Sequence, residues 1–195
     1  MATEVLPDDG KRRCGWCGGS ARMRAYHDEQ WGVPERDEQR LFAKLILDGA
    51  QAGLSWSTIL EREPGYHRAF HGLDPVRMAR YTARDEARLL KDEGIIRNRA
   101  KVRSAIGNAK AFLRLRDEEG SFARWLWSFT DGEPIRNRWR RRTQVPAETP
   151  LSRTVSKELK ARGFTFVGPT IVYAYMQAIG MVNDHLVDCF RHAEL

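Results

Sequence analysis

The stretch that decides the fold is SKELKARGFTFVGPTIVYAYMQAIGMVNDHLVDC, residues 156–189. Its pattern predicts a helix, a tight turn, a second helix, a short turn and a third helix. Gly163 stands where the first helix should end, because a residue with positive φ lets the last helical carbonyls find amide donors. Gly168-Pro169 predicts the start of the second helix, since proline is well tolerated at a first helical position. Apolar residues at helical spacing then continue to Gly180.

Two parts of this stretch favour binding chemistry. The turn 163–168 would direct free N–H groups of a helix N-terminus at one point, an arrangement that suits a phosphate. His185 and Cys189 are four residues apart, so one face of a helix could present both to a metal ion. An ordinary helical hairpin with a buried histidine and a buried cysteine is the alternative interpretation.

The composition is that of a basic globular protein. A length of 195 residues fits one domain with a sizeable core, and a formal net charge of +7 favours a polyanionic partner. No apolar run reaches the roughly 18 residues of a membrane span. The first ten residues lack the features of a secretion signal, so we expect a cytoplasmic protein. Three cysteines are an odd number for a disulfide framework and favour thiol or metal chemistry.

The rest of the chain predicts helices. Residues 1–12 are predicted to form a disordered tail and residues 13–195 a single domain. No alternation of apolar and polar residues persists, so the predicted fold class is all-α. Helices are predicted from Asp37 to near Gly49, from Ser55 to Glu61 with Pro64-Gly65 as the breaker, from Asp74-Pro75, from Thr82 to Gly94 with Asp85 completing a capping box, from near Ile95, and around Phe122.

Two further segments contain candidate binding residues. Cys14 and Cys17 form a CxxC without the βαβ pattern of a redox fold, which argues against thioredoxin-like activity. His27 precedes Asp28, whose carboxylate could orient it at a metal, although a histidine alone is more often a surface residue. Residues 131–151 hold five arginines around Trp139, a pattern that suits phosphate contact and base stacking, or else a solvated basic loop.

Six motifs together resemble a known family. RCGW, AYHDEQWGVP, DGAQAGLSW, GIIRNRAKV, GFTFVGPT and VNDHLVDC occur in an order and spacing similar to bacterial 3-methyladenine DNA glycosylase I, over roughly Arg13 to His192. The resemblance implies a helix-hairpin-helix glycosylase fold with a structural zinc ion that joins the two termini. By motif position its ligands are Cys14, His27, His185 and Cys189, and thiolate and imidazole are the ligands of closed zinc sites. The spacing leaves Cys17 and His192 open as further candidates.

The resemblance also implies a reaction. The enzyme would flip 3-methyladenine out of alkylated double-stranded DNA and excise it hydrolytically, as a monomer that leaves an abasic site. The methylated base is cationic, and aromatic faces attract cations. By motif position Tyr26 and Trp56 are the pocket aromatics, with core packing as their alternative role, and Trp31 contributes a wall. Asp48 would accept hydrogen bonds from the exocyclic amine of the base. Predicted DNA contacts are Arg97, Arg99, Lys101, Gly163, Phe164, Gly168 and Thr170.

Three positions depart from the family pattern. Asp48 stands where glutamate is typical, and Met23 where an aromatic is often found. Asn183 stands where many helix-hairpin-helix glycosylases have a catalytic aspartate, and on a helix the adjacent Asp184 would point about 100° away. No lysine is placed to argue for Schiff-base lyase chemistry. A catalytically weak lesion-binding module, or a glycosylase with altered base preference, is therefore the second interpretation.

Overall fold

The structure, a computed structural model, describes residues 9–195, and helices make up most of it. Its α-helices are α1 (Ala21–Glu29), α2 (Glu38–Gln51), α3 (Trp56–Ala69), α4 (Pro75–Met78), α5 (Ala83–Leu89), α6 (Arg99–Glu119), α7 (Phe122–Trp127), α8 (Pro150–Ala161), α9 (Pro169–Ala178) and α10 (Phe190–Glu194). Short 3-10 helices span Gly15–Cys17, Ser128–Thr130 and Arg142–Gln144. The predicted helical class is confirmed.

A two-residue parallel ladder departs from the purely helical expectation. Strand β1 (Ile135–Arg136) pairs with β2 (Val182–Asn183), with Ile135 opposite Val182. A ladder of two residues is too short to produce a recognisable alternation of apolar and polar positions. The ladder joins residues 131–151, called here the arginine-rich segment, to the chain that follows α9.

Helices α2 and α9 lie at the centre of the core. The Asp37 side chain caps α2 by accepting from Arg40 N at 2.9 Å, as its position predicts. Leu41 and Leu45 on α2 are fully buried. Tyr175 of α9, also fully buried, donates its hydroxyl to Leu41 O at 3.0 Å. The C-terminal half of the chain therefore fixes the helix that carries position 48.

Side chains from neighbouring helices hold the hairpin 163–168, which lies between α8 and α9. Gly163 has φ +86°, so its predicted role in ending α8 is confirmed. Asn108 of α6 donates to Thr165 O at 2.9 Å and accepts from Thr165 N at 2.8 Å. Ser156 of α8 donates to Val167 O at 2.6 Å. Both ends of the hairpin are thus fixed to the helical core.

The prediction of a third helix within residues 156–189 is wrong. After β2 the chain is irregular through residues 184–189, and α10 begins only at Phe190. The Asn183 side chain accepts from His185 N at 3.1 Å, and Cys189 N donates to Leu186 O at 2.8 Å. A side-chain cap and a turn replace the helical hydrogen bonds. His185 and Cys189 meet because the chain turns, and the helical direction assigned to Asp184 does not apply.

The predicted break at Pro64-Gly65 is also wrong. Helix α3 runs through both residues to Ala69, although proline removes one hydrogen bond of the helix. A Cβ on Gly65 would overlap the carbonyl oxygen of Gly94. The glycine therefore lets α3 approach the turn that follows α5, instead of ending the helix.

The predicted caps of α4 and α5 are confirmed, and two helix boundaries shift. Asp74 caps α4, and Thr82 with Asp85 forms the capping box of α5. However, α5 ends at Leu89, before Gly94. The basic helix α6 begins at Arg99, after the Asn98 cap, so the segment around Ile95 precedes it.

The first described residues of the chain lie against its C-terminal segment. Of the predicted tail 1–12, residues 1–8 lie outside the described residues. Arg12 is placed against the C-terminal segment, because its carbonyl accepts from Phe190 N at 3.0 Å and its guanidinium lies 2.7 Å from Asp188 Oδ2. Between residues 9 and 195, no helix has the length and apolar character needed to cross a membrane.

Candidate metal centre and active-site cleft

Four buried side chains from both ends of the chain converge on one point. Cys14, His27, His185 and Cys189 each direct one ligand atom there, and these atoms lie within 4.8 Å of one another. Cys14 precedes the first 3-10 helix, His27 lies in the last turn of α1, and the other two follow β2. The resemblance implied this set, and the structure brings all four together.

The geometry of the cluster fits a tetrahedral zinc ion. Zinc bonds of about 2.3 Å to sulfur and about 2.0 Å to nitrogen place ligand atoms roughly 3.3–3.8 Å apart. Cys189 Sγ lies 3.4 Å from His27 Nε2 and 3.5 Å from His185 Nδ1, and Cys14 Sγ lies 3.8 Å from His185 Nδ1. A hydrogen bond with Cys14 lowers the pKa of Cys189, because it stabilises the thiolate form, and burial opposes this shift. The spacing and the donor types therefore both suit zinc.

Both histidines have their second ring nitrogen fixed. His27 Nδ1 lies 2.8 Å from Asp28 Oδ1, and His185 Nε2 lies 3.0 Å from Trp31 O. Such contacts select the tautomer that turns the other nitrogen towards a metal. Burial opposes ionisation of Asp28, but hydrogen bonds from Arg13 and His27 outweigh it and lower the pKa of this carboxyl. The carboxylate beside His27 thus has the orienting position that the sequence suggested.

The two further candidates lie outside the cluster. Cys17 Sγ is buried and donates to Cys14 O at 3.1 Å, and burial raises its pKa to about 11. His192 Nε2 lies 2.8 Å from Asn137 O. The structure therefore selects the four motif-matched residues within the described chain.

A cleft of about 670 Å³ opens beside the metal centre. Helices α1, α2, α3 and α9, the segment after β2 and the arginine-rich segment contribute to it. Five predicted pocket residues line this cleft, namely Met23, Tyr26, Trp31, Asp48 and Trp56. Cys14, Trp16, Thr170, Tyr173, Gln177 and Asp184 also line it. The cleft and the metal centre thus share Cys14 and the aromatic residues around it.

Aromatic rings form one wall of the cleft. The ring centroids of Tyr26 and Trp56 are 5.1 Å apart, and those of Trp16 and Trp31 are also 5.1 Å apart. Met23 is buried beside Tyr26, where an aromatic was expected from the family pattern. The Trp31 ring lies 4.5 Å from the His185 ring. One side of the aromatic wall therefore rests directly on a residue of the Cys/His cluster.

Asp48 is almost completely buried at the end of α2 that faces the cleft. Lys44, one helical turn earlier, holds Asp48 Oδ1 with its Nζ at 2.8 Å. Asp48 Oδ2 is buried and has no hydrogen-bond partner, and the same is true of Trp56 Nε1. Burial raises the pKa of Asp48, although Lys44 opposes this shift. A buried acceptor and a buried donor thus remain unpaired in the cleft, where a ligand could satisfy them.

Asp184 fixes the arginine-rich segment to the cleft. Its Oδ1 accepts from Asn137 Nδ2 and Trp139 Nε1, both at 2.7 Å. Its Oδ2 accepts from Tyr173 at 2.5 Å and from Gln177 at 2.7 Å. The indole of Trp139 therefore anchors the loop, while the surrounding arginines are exposed: Arg136, Arg138, Arg140, Arg141 and Arg142.

The predicted DNA contacts divide into exposed and internal side chains. Arg97 and Arg99 are exposed and make only long contacts with Glu93 and Glu86, at 3.4 and 3.8 Å. Lys101 instead donates to Ala50 O at 2.8 Å and Ala52 O at 2.6 Å, where it caps the end of α2. Gly163 and Thr170 are exposed at the hairpin and Gly168 is half-buried, whereas the Phe164 side chain is buried.

Sequence reasoning missed several residues of the cleft. Trp16 lies inside the RCGW motif, in which the sequence predicts a role only for Cys14. Lys44 precedes Asp48 by four residues, a spacing that predicts a helical ion pair. Tyr173 and Gln177 are separated by one turn on α9, and no local pattern connects them with Asp184. Such long-range convergence leaves no signal in a single sequence.

Comparisons with known proteins agree on one family. Residues 16–192 match the methyladenine glycosylase family. The chain is 45% identical over 177 residues to DNA-3-methyladenine glycosylase 1 of Escherichia coli (strain K12), which covers 91% of this chain and 95% of that protein. A crystal structure of 3-methyladenine DNA glycosylase I matches with a TM-score of 0.90 at 46% identity, over 92% of this chain and 98% of that one. A structure that concerns 3-methyladenine recognition by the Staphylococcus aureus enzyme matches with a TM-score of 0.89 at 33% identity, over 91% and 95% of the two chains.

Proposed function

Because this chain belongs to the methyladenine glycosylase family and is a DNA glycosylase, we propose that it hydrolytically excises 3-methyladenine from alkylated double-stranded DNA. The observation that carries this proposal is the buried, unpaired Oδ2 of Asp48 in a cleft walled by Tyr26 and Trp56. Extrusion of the nucleotide costs a few kcal/mol in lost stacking, which the contacts inside the cleft must offset.

Three groups in the cleft suit the methylated base. The ring faces of Tyr26 and Trp56 attract its positive charge, and Asp48 Oδ2 can accept a hydrogen bond from its exocyclic amine. Trp56 Nε1 offers a donor for a ring nitrogen of the base. Trp16 and Trp31 complete the aromatic wall, and Met23 packs behind Tyr26. Because the base is a cation while attached to the sugar, its departure needs little further activation.

Asp184 contributes a fixed negative charge to the cleft. Each of its oxygens accepts two hydrogen bonds, so its carboxylate is better suited to electrostatic stabilisation than to removing a proton. Positive charge develops on the sugar as the base leaves, and a preorganised carboxylate stabilises such charge. We therefore infer a monofunctional reaction in which water attacks the sugar carbon and an abasic site remains.

We also propose that the metal centre holds one structural zinc ion. Cys14, His27, His185 and Cys189 would occupy all four tetrahedral positions, which leaves none open for a substrate. When bound, zinc would supply a closed link between the two chain ends. This assignment depends on the donor set and its spacing.

DNA would be gripped by the hairpin 163–168, read as a helix-hairpin-helix motif, and by exposed arginines. The hairpin leads into the N-terminus of α9, and Thr170 on its first turn also lines the cleft. Arg97 and Arg99 are exposed around the start of α6, and the arginine-rich segment lines the cleft through Arg142. One copy of the domain 13–195 supplies the whole site, so we propose a monomer that acts on chromosomal DNA in the cytoplasm.

Salt dependence tests this DNA face. Each neutralised phosphate contributes about 0.9 to the slope of log K against log salt concentration on duplex DNA. Arg97→Ala should reduce that slope by about this amount and weaken binding to all sequences alike. Arg116→Ala is the matched control, because the Arg116 side chain is 41% exposed in the last turn of α6, about 25 Å from Arg99 along the helix. Equal slopes for the unaltered protein and Arg97→Ala would contradict the proposed face.

Release of free 3-methyladenine from methylated duplex DNA tests the proposed function directly. We expect purified protein to release the base and to leave abasic sites without cutting the strand. Binding to methylated DNA without release of the base would instead support the alternative of a lesion-binding module. Strand cleavage, together with a covalent protein–DNA adduct trapped by borohydride, would contradict the monofunctional assignment.

A further inference from the structure

Lys44 is a largely buried cation that contacts three residues lining the proposed base pocket, namely Tyr26, Asp48 and Trp56. Its Nζ lies 2.8 Å from Asp48 Oδ1, 3.7 Å from the centroid of the Trp56 ring and 5.6 Å from that of Tyr26. The Lys44 side chain is 16% exposed and that of Asp48 is 2% exposed, so water screens the pair weakly. The three groups proposed to recognise the base therefore all contact one resident ammonium group.

A resident cation opposes the entry of a cationic base. Two like charges about 6 Å apart, at an effective dielectric constant of about 20, repel by an energy equivalent to roughly 100-fold in affinity. The ammonium group also already uses the electron-rich face of Trp56 that lies towards it. A pocket that selected its base by charge alone would be better without Lys44.

The ion pair leaves the hydrogen-bonding capacity of Asp48 intact. Lys44 occupies only Oδ1, and Oδ2 remains a buried acceptor without a partner. Other titratable groups near the pair do not replace Lys44 as its cation. Burial raises the pKa of Tyr26 on α1 and of Tyr175 on α9, so both stay neutral, and Glu63 of α3 is paired with Arg22 of α1 at 3.5 Å. Burial lowers the pKa of Lys44, and the negative charges of Asp48 and Glu63 oppose this shift. The net charge of this part of the pocket is therefore close to zero.

Building on the proposed excision of 3-methyladenine, we propose that Lys44 is a specificity-determining residue: its ammonium group cancels the charge of Asp48, so that the pocket recognises a modified purine by a hydrogen bond to Asp48 more than by the charge of the base. The class of ligand then includes neutral methylated purines that carry an exocyclic amino group as well as cationic ones.

Two neutral variants and two probes test this role. Lys44→Met removes the charge and the hydrogen bond, whereas Lys44→Gln removes the charge and keeps a donor for Asp48. The first probe is kcat/KM for release of 3-methyladenine from methylated duplex DNA. The second is Kd for the same duplex with 3-deaza-3-methyladenine, in which carbon replaces N3, so the methyl group remains and the charge is absent. A protein that prefers the cationic base has a high kcat/KM for its release and a high Kd for the neutral analogue. The product of this kcat/KM and this Kd therefore measures the preference for a cationic base.

We expect both variants to raise this preference at least about 10-fold at pH 8. The increase should disappear when Asp48→Asn is added to either variant, because it depends on the uncompensated carboxylate. Loss of Lys44 also lets burial raise the pKa of Asp48 further, so the increase should shrink as the pH falls and Asp48 becomes protonated. Thermal unfolding of each variant shows whether the protein remains folded, and Lys44→Gln keeps the test valid if Lys44→Met does not fold.

Different outcomes separate this inference from the function on which it depends. Failure of the unaltered protein to release 3-methyladenine would contradict the proposed function. An active protein whose preference is unchanged or reduced in both folded variants would contradict only the role of Lys44. It would leave Lys44 as a residue that merely supports the packing of α2.

Discussion

Replacement of Cys189 by alanine is expected to remove zinc from the protein and to lower its melting temperature in the same step. Structural zinc contributes about 10–16 kcal/mol to the folding of zinc-finger peptides at neutral pH. A site with three remaining ligands binds the metal far more weakly, and most of the contribution that zinc makes here should be lost. Metal analysis and thermal unfolding of the same sample measure both effects.

Cys17→Ala is the matched control for this experiment. Cys17 is as deeply buried as Cys189 and lies beside the cluster, but its thiol donates to a backbone carbonyl instead of facing the ligand atoms. This variant should keep its zinc and lose only the small stability of one hydrogen bond and its packing. Well-folded unaltered protein with no zinc, or equal zinc contents in both variants, would refute the structural zinc site.

Replacement of Asp48 by asparagine is expected to reduce 3-methyladenine excision by about 10- to 150-fold. That range corresponds to the roughly 1.5–3 kcal/mol of a hydrogen bond to a charged group. Asparagine keeps the size of the side chain and can still accept from Lys44, so the fold and the zinc content should be preserved. Single-turnover excision assays measure the effect, and duplex affinity shows whether DNA binding is unchanged.

Asp48→Glu is the informative companion, because it restores the family residue. Its longer side chain extends about 1.5 Å further into the cleft, and it should keep or raise the excision rate. Asp48 could instead serve only as the partner of Lys44 within α2. In that case all three proteins would excise the base equally fast, and recognition would fall to Tyr26 and Trp56.

The pH dependence of excision should report on the same carboxyl group. Burial raises the pKa of Asp48, with Lys44 as the opposing influence, so its charge is lost at a higher pH than that of an exposed aspartate. Below this pKa the neutral acid no longer attracts a cationic base, and excision should decline as the pH falls. Asp48→Asn cannot titrate, so its pH profile should lack this decline.

The elements that the sequence predicted well are those with local causes. The caps at Asp74 and Thr82, and the glycine with positive φ after α8, follow from a few neighbouring residues. The break at Pro64 failed, because packing of Gly65 against Gly94 stabilises a helix that local propensity disfavours. The helix through His185 failed for a similar reason, since a side-chain cap and a parallel strand pairing outweighed its spacing.

The residues of the site also divide into those that the sequence predicted and those that it did not. Motif position identified the four residues of the metal centre and the residues Tyr26, Asp48 and Trp56 that meet in the cleft. It did not reveal that Lys44 neutralises Asp48, or that Asp184 joins two distant segments. These contacts depend on which surfaces face one another in three dimensions, and a single sequence contains no record of that.

The meeting of the two chain ends has a consequence for how the protein is made. His185 and Cys189 follow Cys14 and His27 by more than 150 residues, so they are synthesised well after them. The helical core needs α9, which ends at Ala178, before His185. The core can therefore be complete while the aromatic wall of Trp16, Tyr26 and Trp31 still lacks its support. His185 completes that wall, because its Nε2 lies 3.0 Å from Trp31 O and its ring packs against the Trp31 ring. A nascent or prematurely terminated chain can thus be largely helical and still be unable to hold a base.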